Sequence, residues 1–501
     1  MFTTCQPKEP LVAILGTTGT GKSDLAIDLA LRFNGEVINA DAMQMYKGLP
    51  VITNQVSLEE QRGVPHHLLA TIDPSEPTWT VDVFAREANR LIRDVRSRGK
   101  LPIVVGGTHY YIHALLFEDN LVADTASYRS QAEITAQFPI LDGPTNLMLE
   151  RLREVDPVMA DRWHPDDRRR IKRSLEIYLT TGKRASDIYA DQKQSQLSSN
   201  STRGPWQSLM FWVYTDRDVL MERLNARVDK MCERGLMDEV RTLHEGQRTR
   251  SERGEAVDLS RGIWQSIGYK QMVPFLEAEK DRASPSKLHQ LQESGLEEMR
   301  SATRQYAKYQ LRWIRHKSIP ALRDHEAMDY LFVLDSSNTG SFPTHVIEPA
   351  ANICSDFLSG RALIKPAEVS NTAKEVLAAF ENDNAPPKPV LKVKTCEICN
   401  MALLSEEQWA KHIKGRKHRH AAQRRNKTST ALVPHDPMGT ALLLPDPEKA
   451  YLENDHSVLA TFKLDSEDCN PAFIDSMANE EKKATDADAD ECIDMLYTQS
   501  P

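Results

Sequence analysis

The chain has 501 residues, 40% of them apolar, enough for two to four domains with a sizeable core. No run of about 18 apolar residues occurs, which excludes a membrane span, and the opening MFTTCQPKEP lacks the apolar stretch of a secretory signal. The net charge of −9 speaks against a nucleic-acid partner as a total, yet DDRRRIKR and KHIKGRKHRHAAQRRNK are strongly basic while the C-terminal stretch is strongly acidic, and local patches matter more for RNA.

Residues 11 to 16 form a short apolar run ending in glycine, as a buried parallel strand does. From Ser23 the apolar residues Leu25, Leu29 and Phe33 recur at helical spacing, and EVINAD and LPIVVGG follow as further strands. Strand, loop, helix and strand in this order predict an α/β fold with a parallel sheet and right-handed crossovers. This core is expected over residues 8–122 and again over 206–362, where LMFWVY and YLFVLDSS supply later strands. Between them, 123–205 reads as a helical insertion. Its clearest element is RIKRSLEIYLTTGK, with Ile171, Leu175, Tyr178 and Leu179 on one face and Gly182 as its stop. Residues 363–390 read as a linker, 391–425 as a small module, and 426–501 as a disordered acidic tail.

Gly16, Gly21, Lys22 and Ser23 fit the phosphate-loop pattern G-x-x-x-x-G-K-[ST]. The loop Gly16, Thr17, Thr18, Gly19, Thr20, Gly21, Lys22 and Ser23 would wrap backbone N–H groups around phosphate oxygens at a helix N-terminus. Lys22 supplies a cation and Ser23 is the expected Mg²⁺ ligand. The pattern alone does not separate ATP from another diphosphate. Asp41 sits at the carboxyl end of the next strand and so faces the same crevice. It can be read equally as a proton acceptor or as a turn-forming residue.

Near the C-terminus Cys396, Cys399, His412 and His418 follow C-x2-C-x12-H-x5-H, a two-Cys two-His zinc pattern, and the other five of the seven cysteines are scattered. Leu403 and Trp409 stand where a small finger has its core, and Ser405 and Gln408 match a capping box. The flanking KGRKHRH suits RNA, with a protein contact as the other role.

Several segments carry a family resemblance: GTTGTGKS, INADAMQMYKGLPVITNQ, VPHHLL, LPIVVGGTHYYIHALL, HPDDRRRIKRSLEIYLTTGKRASDIYADQK, RLNARVDKMCERGLMDEV, IWQSIGYKQM and SATRQYAKYQLRWIR. In this order they resemble tRNA dimethylallyltransferases (tRNA isopentenyltransferases) over most of residues 11 to 316, and the finger is similar to that of the eukaryotic, including fungal, branch. One departure is Ala42, where many members carry serine.

The resemblance implies that the loop holds dimethylallyl diphosphate and that the alkyl group passes to N6 of the adenosine 3′-adjacent to the anticodon, with diphosphate leaving. It implies Asp41 as proton acceptor, Lys22 and Thr18 at the diphosphate, and Thr108 lining the site. Arg227 is the candidate second cation, with Arg223 one turn earlier as its rival. The segment Asp41, Ala42, Met43 and Gln44 would approach the base. Arg169, Arg170, Arg173, Lys270, Arg304, Gln305 and Lys308 would meet tRNA, with Tyr306, Tyr309 and Trp313 interleaved. The cofactors implied are Mg²⁺ and a structural Zn²⁺, and the protein is expected to be a cytoplasmic monomer, with mitochondrial and nuclear pools. Two other readings compete: a P-loop small-molecule kinase, and a nucleic-acid-binding regulator with a vestigial loop.

Overall fold

The computed structural model describes residues 7–76, 78–117, 131–198, 207–255, 257–259 and 261–381, and in the C-terminal module 394–396, 398–399, 401–403, 406–415, 418–419 and 422. The acidic tail expected over 426–501 lies outside these residues. Among them a six-stranded parallel sheet is built from β1 (Pro10–Leu15), β2 (Gly35–Asn39), β3 (His66–His67), β4 (Leu101–Val105), β5 (Gln207–Tyr214) and β6 (Leu331–Asp335). The strand order is β3-β2-β4-β1-β5-β6. Register is fixed by pairs such as Val12 with Ile103, Val37 with Ile103, Leu15 with Trp212 and Met210 with Leu331.

Apart from the short, half-buried β3, the strands are largely buried on both faces, so their residues alternate between two apolar layers. Leu11, Ala13 and Leu15 of β1 join one layer with Trp212 and Val333; Val12 and Ile14 join the other with Phe211 and Phe332. The second layer is closed by α1 (Lys22–Arg32). The first is closed in part by α2 (Val81–Ser97) and α3 (His109–Leu116). The Thr80 hydroxyl caps α2 by accepting from the Val83 N–H, which places its Phe84, Ala88, Ile92 and Val95 stripe on the sheet.

The described residues fall into two compact units, one drawn from 1–139 and 176–388 and the other from 140–175 and 389–472. From 131 to 198 there are helices and no strand: α4 (Gln131–Gln137), α5 (Thr145–Val155), α6 (Pro157–Arg162), α7 (Arg168–Thr181) and α8 (Ala185–Ser198). Gly182, with φ of +70°, ends α7 as its sequence predicts. In the second unit Arg168 donates to the Gly143 and Asp142 carbonyls, and Lys172 pairs with Asp142.

The first unit continues with α9 (Arg217–Glu233), α10 (Leu236–Glu252), α11 (Tyr269–Lys280) and α12 (Pro285–Trp313). Beyond a π turn over Ile314–Ser318 come α13 (Ile319–Asp324) and α14 (Glu348–Leu358). The Ser284 hydroxyl caps α12 ahead of Pro285, a residue suited to a first helical position.

The linker expected over 363–390 is corrected in part. Residues Asn371–Glu381 form α15, with Ala373, Val376, Leu377 and Phe380 buried in the first apolar layer. Those four positions follow i, i+3, i+4 and i+7, the period of a half-buried helix. Surrounding Pro, Asn and Lys mask that period in the composition. Arg323 ties α15 down by donating to the Phe380 carbonyl, and Thr372 donates to Asp335 at 2.7 Å.

Candidate active site

The carboxyl ends of β1, β2 and β4 lie side by side, so the loops that leave them meet over one crevice. The first is the phosphate loop. Its glycines at 16, 19 and 21 have φ of 143°, 86° and 86°, which side-chain-bearing residues avoid. A Cβ on Gly16 would stand 2.5 Å from the Val213 carbonyl oxygen of β5. The Thr20 hydroxyl donates to the Thr17 carbonyl at 3.0 Å, and Lys22 Nζ donates to the same oxygen at 2.5 Å. Lys22 is thereby folded back over the loop at the start of α1, and Ser23 follows it in the first turn.

The second loop carries Asp41. Asn39 braces it: the Asp41 N–H donates to Asn39 Oδ1 at 3.1 Å, and Asn39 Nδ2 donates to the Asp41 and Leu68 carbonyls at 3.1 and 2.9 Å. The Met43 N–H donates to Asp41 Oδ1 at 3.0 Å. Thr108, from the third loop, accepts from the Ala42 N–H at 3.0 Å. The adjoining Gly107 is needed for close approach, because a Cβ there would lie 2.9 Å from Asp41 Oδ2 and 2.6 Å from Gln310 Nε2.

On a fourth element the two rival arginines differ in their partners. Arg227, on α9, donates to the Thr18 hydroxyl at 2.6 Å. Arg223 instead donates to the Ser336 and Ser337 carbonyls at 2.7 and 2.9 Å, beyond the end of β6.

Lys22 and Asp41 both retain some surface at the mouth of the crevice, while protein rings their charged ends. Burial raises the Asp41 carboxyl above its ordinary range, against the opposing pull of the Met43 N–H, Lys22 and Arg227. Burial lowers Lys22 to about 7, with Asp41 opposing and Arg227 reinforcing the shift. Arg227 is lowered to about 10 by the same cause and stays cationic. A cationic Arg227, a Lys22 only partly protonated at neutral pH and one carboxylate of raised basicity therefore share one site, an arrangement suited to holding an anion beside a proton acceptor.

Sequence comparison decides the class. The IPP transferase family matches residues 44–317, just over half of the chain. The chain belongs to the IPP transferase family. Among its curated relatives is a tRNA dimethylallyltransferase of Schizosaccharomyces pombe, 37% identical over 84% of this chain and 96% of that protein. A Homo sapiens tRNA dimethylallyltransferase is 33% identical over 85% of this chain and 88% of its own length. A solved structure of a eukaryotic dimethylallyltransferase acting on tRNA matches with a TM-score of 0.71 and 33% identity, covering 85% of this chain and 99% of that one.

In this IPP transferase the structure gathers Gly16 to Ser23, Asp41, Thr108 and Arg227 into one site. Gln44 is held rigid: its Nε2 donates to the Asn54 carbonyl at 2.9 Å, and its own carbonyl accepts from the Ala70 N–H. Met43 is half-buried and receives the Ser266 hydroxyl at its sulfur. On α12, Gln305 and Lys308 are exposed, whereas Arg304 is engaged by Asn225 and Glu297. Lys270 is half-buried in the first turn of α11. Trp313 stacks obliquely on Tyr309 and Tyr110.

In the second unit Arg169 is exposed, Arg173 is half-buried, and Arg170 lies 4.9 Å over the Trp163 ring while pairing with Asp167. The basic helix is thus not a uniform cationic face, since Arg170 has an intramolecular stacking role.

Sequence reasoning missed Gln310, His109 and Asn39. Gln310 Oε1 accepts from the Thr18 N–H at 2.8 Å, and its Nε2 donates to the Gly107 carbonyl at 2.9 Å. His109 Nε2 accepts from the Gly16 N–H at 3.4 Å, and burial holds its pKa near 3, so the ring is neutral. The available signal for Gln310 was periodicity: Thr303, Ala307 and Gln310 form the buried stripe of α12.

The C-terminal module matches a zinc finger of C2H2 type over residues 394–418. A hairpin of β7 (Lys394–Cys396) and β8 (Met401–Leu403) precedes α16 (Glu406–Lys414). The donor atoms of Cys396, Cys399, His412 and His418 all lie within 4.8 Å of one another. Cys396 Sγ and Cys399 Sγ stand 3.5 and 3.6 Å from His418 Nδ1, and His412 Nε2 stands 3.1 Å from it. A tetrahedral Zn²⁺ with bonds of about 2.0 to 2.3 Å requires edges of this length, so the four residues fit the ion. Lys394 lies 5.8 Å over Trp409. The capping residue expected at Ser405 and the side chains of Gln408 and Leu403 lie outside the described residues.

Proposed function

We propose that this protein transfers a dimethylallyl group from dimethylallyl diphosphate to N6 of the adenosine 3′-adjacent to the anticodon of a tRNA. The observation that carries the reading is Asp41 facing a diphosphate-type loop within a cationic crevice. The kinase alternative shares that feature, but the relatives of this chain are tRNA dimethylallyltransferases across most of their length.

In the proposed reaction the adenine amine attacks the allylic carbon of the donor. The carbon–oxygen bond to diphosphate breaks, and the N6 proton passes to Asp41. Lys22, Arg227 and the loop amides meet the charge that grows on the departing diphosphate. A bound diphosphate also favours the ammonium form of Lys22, reversing the effect of burial. A Mg²⁺ ion fits hard oxygen donors, and the Ser23 hydroxyl, which has no partner among the described residues, would hold it; when bound it neutralises diphosphate charge. The adenine reaches Asp41 by leaving its stack, and the rigid Asp41–Gln44 segment meets its edge. The neighbouring exposed Gln305 and Lys308 are proposed contacts to the RNA loop.

The test is incubation of the protein with labelled dimethylallyl diphosphate, Mg²⁺ and either bulk tRNA or small metabolites. Label should enter the tRNA fraction, inorganic diphosphate should compete with the donor, and ATP should not be consumed. Label in small metabolites, or ATP hydrolysis coupled to product, would favour the kinase.

A further inference from the structure

Two of the phosphate loop's own backbone N–H groups are already engaged by side chains of the protein. The Gly16 N–H is taken by His109 Nε2, and the Thr18 N–H by Gln310 Oε1. Gln310 is 1% exposed and uses both ends of its amide, because its Nε2 donates to the Gly107 carbonyl. Tyr306, one turn earlier on α12, donates to the same carbonyl at 3.3 Å. One side chain therefore joins the loop after β1 to the loop after β4. Gly107 in turn abuts Asp41 Oδ2, since a Cβ there would meet that oxygen and Gln310 Nε2 together.

From this geometry we infer that Gln310 is a positioning residue, which sets the distance between the diphosphate-holding loop and the carboxylate of Asp41. The inference rests on the transferase reading of the site. Glutamine suits the position because the bridge needs an acceptor toward Thr18 and a donor toward Gly107 on one rigid planar group. Methionine has similar bulk and supplies neither. Glutamate keeps the acceptor and, when ionised, sets a charge against the Gly107 carbonyl. Thr18 is held at a second point by Arg227, so loss of the Gln310 bond leaves the loop anchored but free to shift. A displacement near 1 Å between reacting groups costs about 100-fold in rate. The bonds of Gln310 go to the backbone of Thr18 and Gly107, so the effect of its loss is expected to pass through the placement of the two loops.

The experiment compares wild type with Gln310→Met and Gln310→Glu in the full chain. Calorimetry with inorganic diphosphate reads the loop without any reaction. Steady-state transfer reads KM for the donor, KM for tRNA and kcat, and thermal melting reads the fold. For Gln310→Met the expected result is weaker diphosphate binding and a fall in kcat of about 10- to 100-fold. The KM for tRNA and the melting temperature should stay near wild type. Gln310→Glu keeps one of the two bonds but adds a negative charge beside the anion-holding loop, so its diphosphate affinity should also fall below wild type. Diphosphate affinity and kcat unchanged in both variants would overturn the inference. So would a Gln310→Met protein that melts early with unaltered KM values, since that marks a purely structural role. Absence of transfer by wild type, with diphosphate binding intact, would instead count against the transferase reading, and the calorimetric comparison would still judge Gln310.

Discussion

Arg227 and Arg223 are one helical turn apart on α9, and the sequence offers no reason to choose between them. Their partners do. Arg227 reaches the Thr18 hydroxyl, inside the crevice, while Arg223 ties two carbonyls beyond β6. Removing a charged hydrogen-bonding group costs about 1.5–3 kcal/mol, or roughly 10- to 150-fold in affinity. Arg227→Met should therefore weaken inorganic diphosphate binding by about that factor with little change in melting temperature. Arg223→Met should do the reverse, lowering the melting temperature and leaving diphosphate affinity near wild type. Equal effects of the two variants on diphosphate binding would remove the distinction. Lys22 and the loop glycines were legible because they sit in a motif whose spacing is dictated by phosphate geometry, whereas Asp41 was legible only as a strand-end carboxylate whose acceptor role came from the family resemblance. The roles of Gln310 and His109 were not legible, because they depend on where two distant helices meet the loop; the period of α12 marks Gln310 as buried but does not show what it meets.

At the scale of elements, strands buried on both faces and helices with a single apolar stripe announce themselves, and the parallel sheet follows. Short helices flanked by Pro and Asn do not, and α15 is the example. Its Phe380 ring is 2% exposed, packs 5.7 Å from Trp212 and is capped by the Arg315 guanidinium. Phe380→Ala should destabilise the first unit by about 3–5 kcal/mol, measured by denaturant unfolding. A change below about 1 kcal/mol would mean that α15 is dispensable to the core. For the same reason a truncation meant to remove only the finger should end near residue 388, since a stop near 362 also removes α15. Cys396→Ser should unfold the finger by breaking its zinc site, and both it and the truncation should retain diphosphate binding. If the basic finger contacts RNA, both should bind tRNA more weakly and with a shallower salt dependence. Unchanged affinity and salt slope would make a protein partner the better role.

For the whole molecule, the net charge of −9 is a poor guide to its partner, because basic and acidic residues are segregated along the chain. What separates the transferase reading from a kinase is the chain's family and relatives, while the crevice at the strand ends, where a phosphate loop, two basic side chains and a carboxylate of raised basicity converge, is where the chemistry is proposed to occur. That carboxylate is inactive when protonated, so transfer should be present above the Asp41 pKa and lost as pH falls through it. Because burial raises that pKa, the acid limb should lie above the range of an ordinary aspartate. The most direct test is single-turnover transfer to tRNA by Asp41→Asn across pH, with tRNA and diphosphate affinities measured alongside. The account predicts a rate about 10²–10⁴-fold below wild type, no acid limb, and tRNA affinity close to wild type. A variant that transfers at the wild-type rate, or that keeps the same acid limb, would contradict the assignment of Asp41 as the proton acceptor.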